Sequence, residues 1–415
     1  MRQFAPSAQI CNNRAMIPIR FVIEDEALQG KVYWDGSLRK VAVDCQGKYI
    51  EMYIGSNQAR VDGVTKYLDA APYIFEGRTF IPLRFLAENL GAVVGWDAPK
   101  REVLINFDQK LRVFAYYYYS WGEYQANADL FSDVSFRWFQ TNRQGELSYE
   151  YQDRYQEALK LARNNGSKTH ASVVLMGKDP LHELLSSKDN RSRLIGNLLD
   201  VVKNNDYSGV NIDFELMDAA DAGLFTTFLR ELKTSLGTEK ELSVAVFART
   251  AKDKWATPYE YKKIGEIADA VIVMAYDYSY KNTAPGPVAP LWWVKETVAY
   301  MTGSIPREKI LLGVPTYGYD WASGVPTSTI TAGKLQSLQQ TYDVRESFDN
   351  NSMSPYYTYV DSNGKSHQIW IENKKSLNEK LNVAIENGLG GISFWRIGNG
   401  FDDLYQLLKE NGLNQ

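Results

Sequence analysis

Three polar side chains occupy alternate positions in one apolar run. Residues 208–215 read Ser-Gly-Val-Asn-Ile-Asp-Phe-Glu. In an extended strand, successive side chains point to opposite faces. Val210, Ile212 and Phe214 then share a face suited to packing beneath helices, while Asn211, Asp213 and Glu215 share the other. Acids two residues apart on one face lie about 6–7 Å apart at their backbones, so their carboxyls can approach and couple. Coupling and partial burial raise one pKa, as a general acid at neutral pH requires. Glu215, the outer member, is the expected proton donor, and Asp213, deeper, the expected stabiliser of positive charge. The competing reading is a structural polar network or a cation site, since unpaired polar groups at such positions cost several kcal/mol each.

The elements around this run must turn its polar face into a cleft. From about residue 111, short apolar strands alternate with amphipathic helices. Strands are expected over 111–119, 132–138, 169–177, 208–214, 241–247, 269–276, 309–316 and 389–395. Helices are expected near 149–165, 189–205, 218–236, 258–267, 290–302, 376–387 and 401–411. Eight strands with intervening helices predict an α/β fold, a (β/α)₈ barrel, whose active sites lie at the C-terminal strand ends. A doubly wound open sheet is the alternative, but no Gly-rich phosphate loop follows the first strand. The long gap over 321–375 holds strand-like pieces at Tyr356–Val360 and Gln368–Ile371 and reads as a small insertion walling the cleft.

With 415 residues, the chain has room for a small domain before the barrel. A net charge of −4 gives no reason to expect nucleic acid, and no apolar run is long enough to span a membrane. Met1-Arg-Gln-Phe-Ala-Pro lacks the apolar centre of a signal peptide, yet the first repeat starts abruptly. We therefore expect a trimmed piece of a longer chain, whose missing signal does not place it in the cytoplasm. His170, His182 and His367 lack metal-ligand spacing, so a His-based metal enzyme is not expected. Cys11 and Cys45 are either one disulfide or two free thiols. The 27 Tyr, 17 Phe and 10 Trp suit either stacking of sugar-like ligands or a large core.

The first hundred residues repeat. Asn13–Phe21 (Asn-Arg-Ala-Met-Ile-Pro-Ile-Arg-Phe) is echoed by Gly77–Phe85 (Gly-Arg-Thr-Phe-Ile-Pro-Leu-Arg-Phe), with Arg, Pro and Arg recurring 64 residues apart. Trp34-Asp35 and Trp96-Asp97 follow, 62 apart. Each proline is expected in the first turn of a short helix. Val41–Asp44 and Tyr49–Ile54 read as strands, giving a small α+β module over 1–107. These motifs resemble the copper amine oxidase N-terminal-like, or stalk, domain, which carries no copper chemistry. The resemblance implies a spacer or an interaction with the cell envelope.

The strand-four run resembles the glycoside hydrolase family 18 signature Asp-x-x-Asp-x-Asp-x-Glu. Its last two acids match Asp213 and Glu215, while Ser208 and Asn211 replace the first two. Asn211 has no ionisable proton to share, so Asp213 is expected to lean on Glu215 throughout. The resemblance continues over 108–415: Met274-Ala-Tyr276-Asp277 ends strand six, Leu312–Trp321 spans the end of strand seven, and Gly391-Ile-Ser-Phe-Trp395 ends strand eight. Ala284–Pro290, Gly318–Trp321 and Trp395–Gly398 look like the branch holding spore-cortex-lytic N-acetylglucosaminidases.

That resemblance implies substrate-assisted, retaining hydrolysis of β-1,4 bonds in N-acetylglucosamine polymers, with peptidoglycan as the expected substrate. Glu215 would act as acid and then base, Asp213 would hold the acetamido N–H, and Tyr276 would fix the acetamido oxygen. Asn211 and Asp277 would bind substrate, and Trp395 would floor the sugar subsite. Tyr276 and Asp277 could instead cap a loop, and Trp395 could belong to the core. Tyr317 is either cleft wall or packing, and Arg396 either substrate ligand or salt-bridge partner. Tyr116, Tyr118, Trp121, Trp292, Trp293 and Trp321 are candidates to line an extended cleft. The alternatives are a chitinase or chitooligosaccharide hydrolase, and an inactive sugar-binding lectin. Inactive members usually lose the terminal acid, which Glu215 retains.

Overall fold

A computed structural model describes residues 8–11, 14–25, 28–97, 102–106, 111–149 and 154–413, by backbone alone at 93–97 and 102–106. The chain divides into two compact units, Met1–Lys110 and Leu111–Gln415.

The N-terminal unit is built on antiparallel sheets. The two repeat motifs pair with each other through Arg14–Pro18 and Arg78–Pro82, in register Met16 to Pro82 and Pro18 to Phe80. Each strand turns directly into a short helix, Ile19–Ile23 and Leu83–Asn89. Pro18 and Pro82 do not occupy the first helical turn. Each is the last strand residue and the helix N-cap, with φ near −70° and −62°, so the fixed proline φ serves the strand exit. A five-stranded meander runs from Lys31–Asp35 to Val64–Tyr67 and includes Lys40–Cys45 and Lys48–Tyr53. Val93–Asp97 pairs with Glu102–Asn106 as a hairpin, and the Trp96 and Asp97 side chains lie outside the described residues. Cys11 and Cys45 are both free thiols, Cys45 buried among Ile23, Val43 and Ile50.

The C-terminal unit is a closed parallel barrel. Its strands are Arg112–Tyr117, Asp133–Thr141, Lys168–Met176, Gly209–Glu215, Glu241–Phe247, Ala270–Met274, Ile310–Pro315 and Gly391–Trp395. Each pairs with the next in sequence, and the first pairs with the last in register Arg112 to Gly391. Closure rules out the doubly wound open sheet. Tyr155–Asn164, Lys188–Asn205, Ala222–Leu236, Tyr261–Ile267, Leu291–Met301, Lys374–Glu386 and Asp402–Glu410 are the helices the periodicity marks. Helices Trp121–Asn127 and Lys178–Ser186 were not anticipated. The insertion begins at Tyr317, immediately after strand seven, and not at 321. It forms a five-stranded antiparallel sheet ending at Trp370, with helix Ala332–Thr341 between its second and third strands in sequence.

The N-terminal mouth of the barrel is closed by charge. Arg112 Nε donates to Asp133 Oδ2 at 3.0 Å, and its Nη2 bonds both Asp133 and Glu241. His170 Nε2 lies 2.9 Å from Asp133 Oδ1, and Lys168 pairs with Glu241. Asp133, His170 and Glu241 stand close enough to hold a cation, but the Arg112 guanidinium already bonds both carboxylates. Burial lifts the Asp133 carboxyl, yet hydrogen bonds from His170 and Arg112 and their charge outweigh it and hold it far below the usual range. A depressed carboxylate contributes stability above its unfolded pKa and loses it on acidification through the folded value. Arg112→Met, which strands the buried Asp133 charge, should cost roughly 3–5 kcal/mol at neutral pH. A urea midpoint unchanged from the parent would show that the cluster contributes nothing.

Candidate active site

The polar face of strand four is set by its apolar one. Val210, Ile212 and Phe214 are fully buried, and Phe214 stacks on Phe228 of helix Ala222–Leu236 at 5.6 Å and 12°. Asn211, Asp213 and Glu215 are thereby turned to the barrel interior. Asn211 lies deepest. Its Oδ1 accepts from Ser172 Oγ at 3.0 Å and its Nδ2 donates to Ser243 Oγ at 3.0 Å, residues directly beside it on strands three and five. This clamp leaves Asn211 beneath the cavity and not in its wall.

Above it is a cavity of about 220 Å³, with Asp213, Glu215, Tyr276, Asp277, Tyr317, Trp395 and Tyr116 in its lining. Arg137, Met176, Phe247 and Met274 complete it. The lining comes from strand ends two to six and eight, from Tyr116 on strand one, and from the chain following strands six and seven, which is where barrel enzymes carry their chemistry.

Burial pushes the Glu215 carboxyl up to about 8, and the neighbouring Asp213 adds to this by its charge and by a hydrogen bond. Burial also lifts Asp213, while Arg137 and the Glu215 hydrogen bond pull it down. Glu215, hydrogen-bonded to Asp213, therefore keeps its proton near neutral pH. The Tyr276 and Tyr116 hydroxyls are pushed well up by burial first, with Asp213 contributing, so both remain donors.

Asp277 has φ 59° and follows Tyr276 directly. Its Oδ1 accepts from Tyr317 Oη at 2.8 Å and Tyr319 Oη at 2.9 Å. Tyr317 is thus cleft wall and packing at once. Burial raises the Asp277 carboxyl against the lowering effect of the two hydroxyls. Strand seven needs glycine at 313, because a Cβ there would meet the Val273 carbonyl oxygen at 2.6 Å and the Tyr276 ring at 3.2 Å.

Trp395 meets Tyr116 edge-on at 5.3 Å. The Thr316 hydroxyl accepts from Arg396 N at 2.7 Å and Asn399 Nδ2 at 3.0 Å, and lies 2.9 Å from the Trp395 carbonyl. Thr316 positions the indole through the backbone. Thr316→Val should raise KM severalfold with a smaller effect on kcat, and equal losses in both would count against a positioning role. Arg396 is not in the cavity wall. Its guanidinium lies over Tyr119 at 4.6 Å and donates to the Ile397 carbonyl at 3.1 Å.

Of the other aromatic candidates, Trp321 is buried and donates to the Thr283 carbonyl at 3.1 Å. Tyr278 packs against both Trp292, which is exposed, and Trp293. Sequence reasoning missed Arg137, the cation facing the acid pair. Its signal is a lone charge within the apolar stretch Val134–Phe139 of strand two.

Known proteins resemble this chain in sequence and fold. Residues 2–105 match the copper amine oxidase N-terminal domain. A cortical fragment-lytic enzyme of Bacillus anthracis is 31% identical over 229 residues, covering 53% of each chain. The chain spans about half the length of such curated relatives. A chitinase from Chromobacterium violaceum superposes with TM-score 0.68 at 25% identity, over 74% of this chain and all of that one. The Bacillus cereus spore cortex-lytic enzyme SleL shares the fold, with TM-score 0.67 at 24% identity over 75% of this chain and 77% of its own. Residues 113–400, well over half of the chain, match the model of glycosyl hydrolases family 18. The chain belongs to glycosyl hydrolases family 18.

Proposed function

We propose that the protein hydrolyses β-1,4 bonds of an N-acetylglucosamine polymer, peptidoglycan foremost, with the sugar's own 2-acetamido group as nucleophile. The observation that carries this is the placement of Glu215 and buried Asp213 on one face of strand four in the cavity wall, with no free carboxylate opposite among the described residues. Retaining hydrolysis by two carboxylates needs a second acid across the cleaved bond. Asp213 shares a strand and a hydrogen bond with Glu215, and Asp277 is engaged by two tyrosine hydroxyls.

Glu215 protonates the leaving oxygen as the acetamido oxygen bonds to the anomeric carbon. Asp213 accepts a hydrogen bond from the acetamido N–H and balances the oxazolinium charge. Tyr276 donates to the acetamido oxygen and fixes its approach, and Trp395 floors the sugar. Glu215, now a carboxylate, takes a proton from the water that opens the ring. Nothing in these steps calls on a metal or organic cofactor. The choice of peptidoglycan, and of the wall or spore as its location, draws on the cortical fragment-lytic relatives. No described helix is long and apolar enough to cross a membrane.

Two results test this reading. A β-1,4-glucan without 2-acetamido groups should not be cleaved, and comparable cleavage of it would overturn substrate assistance. Because the acid must hold its proton, kcat/KM should fall as pH rises through about 8, the value that burial and Asp213 give Glu215 in the free protein. A pH profile flat to pH 10 would contradict the assignment of the acid. Turnover of chitooligosaccharides with intact peptidoglycan would favour a chitinase instead.

A further inference from the structure

The N-terminal unit contains a groove of about 810 Å³ that none of the steps above uses. This volume lies within the usual range for small-ligand sites. Three apolar side chains in its lining, Phe21, Trp34 and Ile74, are each 40–45% exposed. Clustered exposed apolar groups mark contact surfaces more often than isolated ones do.

The internal repeat supplies a control. Phe85 occupies the position in the second motif that Phe21 holds in the first. Phe85 is 9% exposed and belongs to the core, whereas Phe21 is 40% exposed over the groove. The same strand–helix turn can bury its phenylalanine, so the fold does not force Phe21 into water. The Arg78 guanidinium lies 4.9 Å from the Phe21 ring centroid. Arg20 reaches Glu24 at 3.3 Å, and all of these charged groups line the groove.

Flat aromatic faces bordered by forked donors and carboxylate acceptors suit a pyranose, which offers C–H faces for stacking and a rim of hydroxyls. Arg20 and Arg78 are balanced by Glu24 and Asp25 in the lining. A balanced lining favours a sparsely charged polyhydroxyl ligand, with at most one carboxylate per disaccharide, over a nucleic acid or an anionic lipid surface. We propose that this groove is a second glycan-binding site, holding the polymer through Trp34 and Phe21 while the barrel cleaves it. The proposal rests on the hydrolase reading above for the identity of the glycan.

The test is calorimetric titration of the full chain carrying Glu215→Gln, to prevent turnover, with peptide-free strands of alternating N-acetylglucosamine and N-acetylmuramic acid. Two binding events are expected. Adding Trp34→Ala or Phe21→Ala should remove one event and leave the other, with the melting temperature close to the parent's because both rings are exposed. In the otherwise native chain, Trp34→Ala should leave turnover of short soluble oligosaccharides unchanged and weaken retention on insoluble wall material. One event unaffected by either substitution overturns the second site and leaves the hydrolase reading intact. No binding by any variant overturns the hydrolase reading itself. Retention on wall material that depends on Trp34 but disappears once wall proteins are stripped would assign the groove to a protein partner and overturn the glycan proposal.

Discussion

Glu215→Gln should lower kcat by about 10²–10⁴-fold, the range for loss of a positioned general acid, with KM little changed. The amide keeps the shape of the carboxyl but has no proton to give to the leaving oxygen. The same substitution should stabilise the fold in alkali. The native Glu215 carboxyl is raised from 4.5 to about 8, so the native state binds a proton more tightly than the unfolded chain does. Stability then falls as pH rises between those values, and Gln removes that slope. The expected pattern is an inactive variant with a higher melting temperature than the parent at pH 9 and a similar one at pH 4. An active variant, or one that melts below the parent at pH 9, would remove Glu215 from its assigned role.

Asp213→Asn should have the second largest effect, about 10²–10³-fold in kcat, comparable to loss of a preorganised charge-stabilising group. It should also move the pH profile in a definite direction. The Asp213 charge and hydrogen bond are two of the causes that hold the proton on Glu215. Without them the Glu215 pKa drops toward the usual range, because only burial and the Asp277 charge then oppose its ionisation. The alkaline limb of kcat/KM should therefore shift to lower pH. An upward shift, or none, would show that the two carboxyls do not share their proton. Arg137 works in the opposite sense, since its charge lowers both groups.

Much of this site is legible in the sequence because it follows from period-two alternation and strand order. The run 208–215 separates into an apolar and a polar face on paper, and the structure turns those faces as alternation requires. Eight apolar segments at barrel spacing give the closed sheet, with bounds differing by a few residues. The residues that escaped notice depend on three-dimensional placement. Arg137 matters only because strand two lies one strand away from strand four across strand three. Thr316 matters because a hydroxyl after strand seven bonds the chain after strand eight, 80 residues on.

Asn211 was expected to touch substrate because it shares the face of the acids. It does share that face, but one layer deeper, where Ser172 and Ser243 occupy its amide. Arg396 was expected at the substrate because it adjoins Trp395, yet its side chain leaves toward Tyr119. Helix Lys178–Ser186 is short and follows strand three directly, with Gly177 as its N-cap and Pro180 within its first turn. The insertion starts earlier than expected because Tyr317, Tyr319 and Trp321 alternate as a strand whose aromatic face packs on Trp370 and Val288.

The most direct test is the identity of the reducing-end sugar released from purified cell-wall glycan. The wall is digested, reduced with borohydride and analysed by mass spectrometry, with Glu215→Gln as the control. Acid at Glu215 acting with an acetamido nucleophile on the N-acetylglucosamine side predicts reduced N-acetylglucosamine at the new ends, and none from the variant. Reduced N-acetylmuramic acid at those ends, or equal product from the variant, would contradict it.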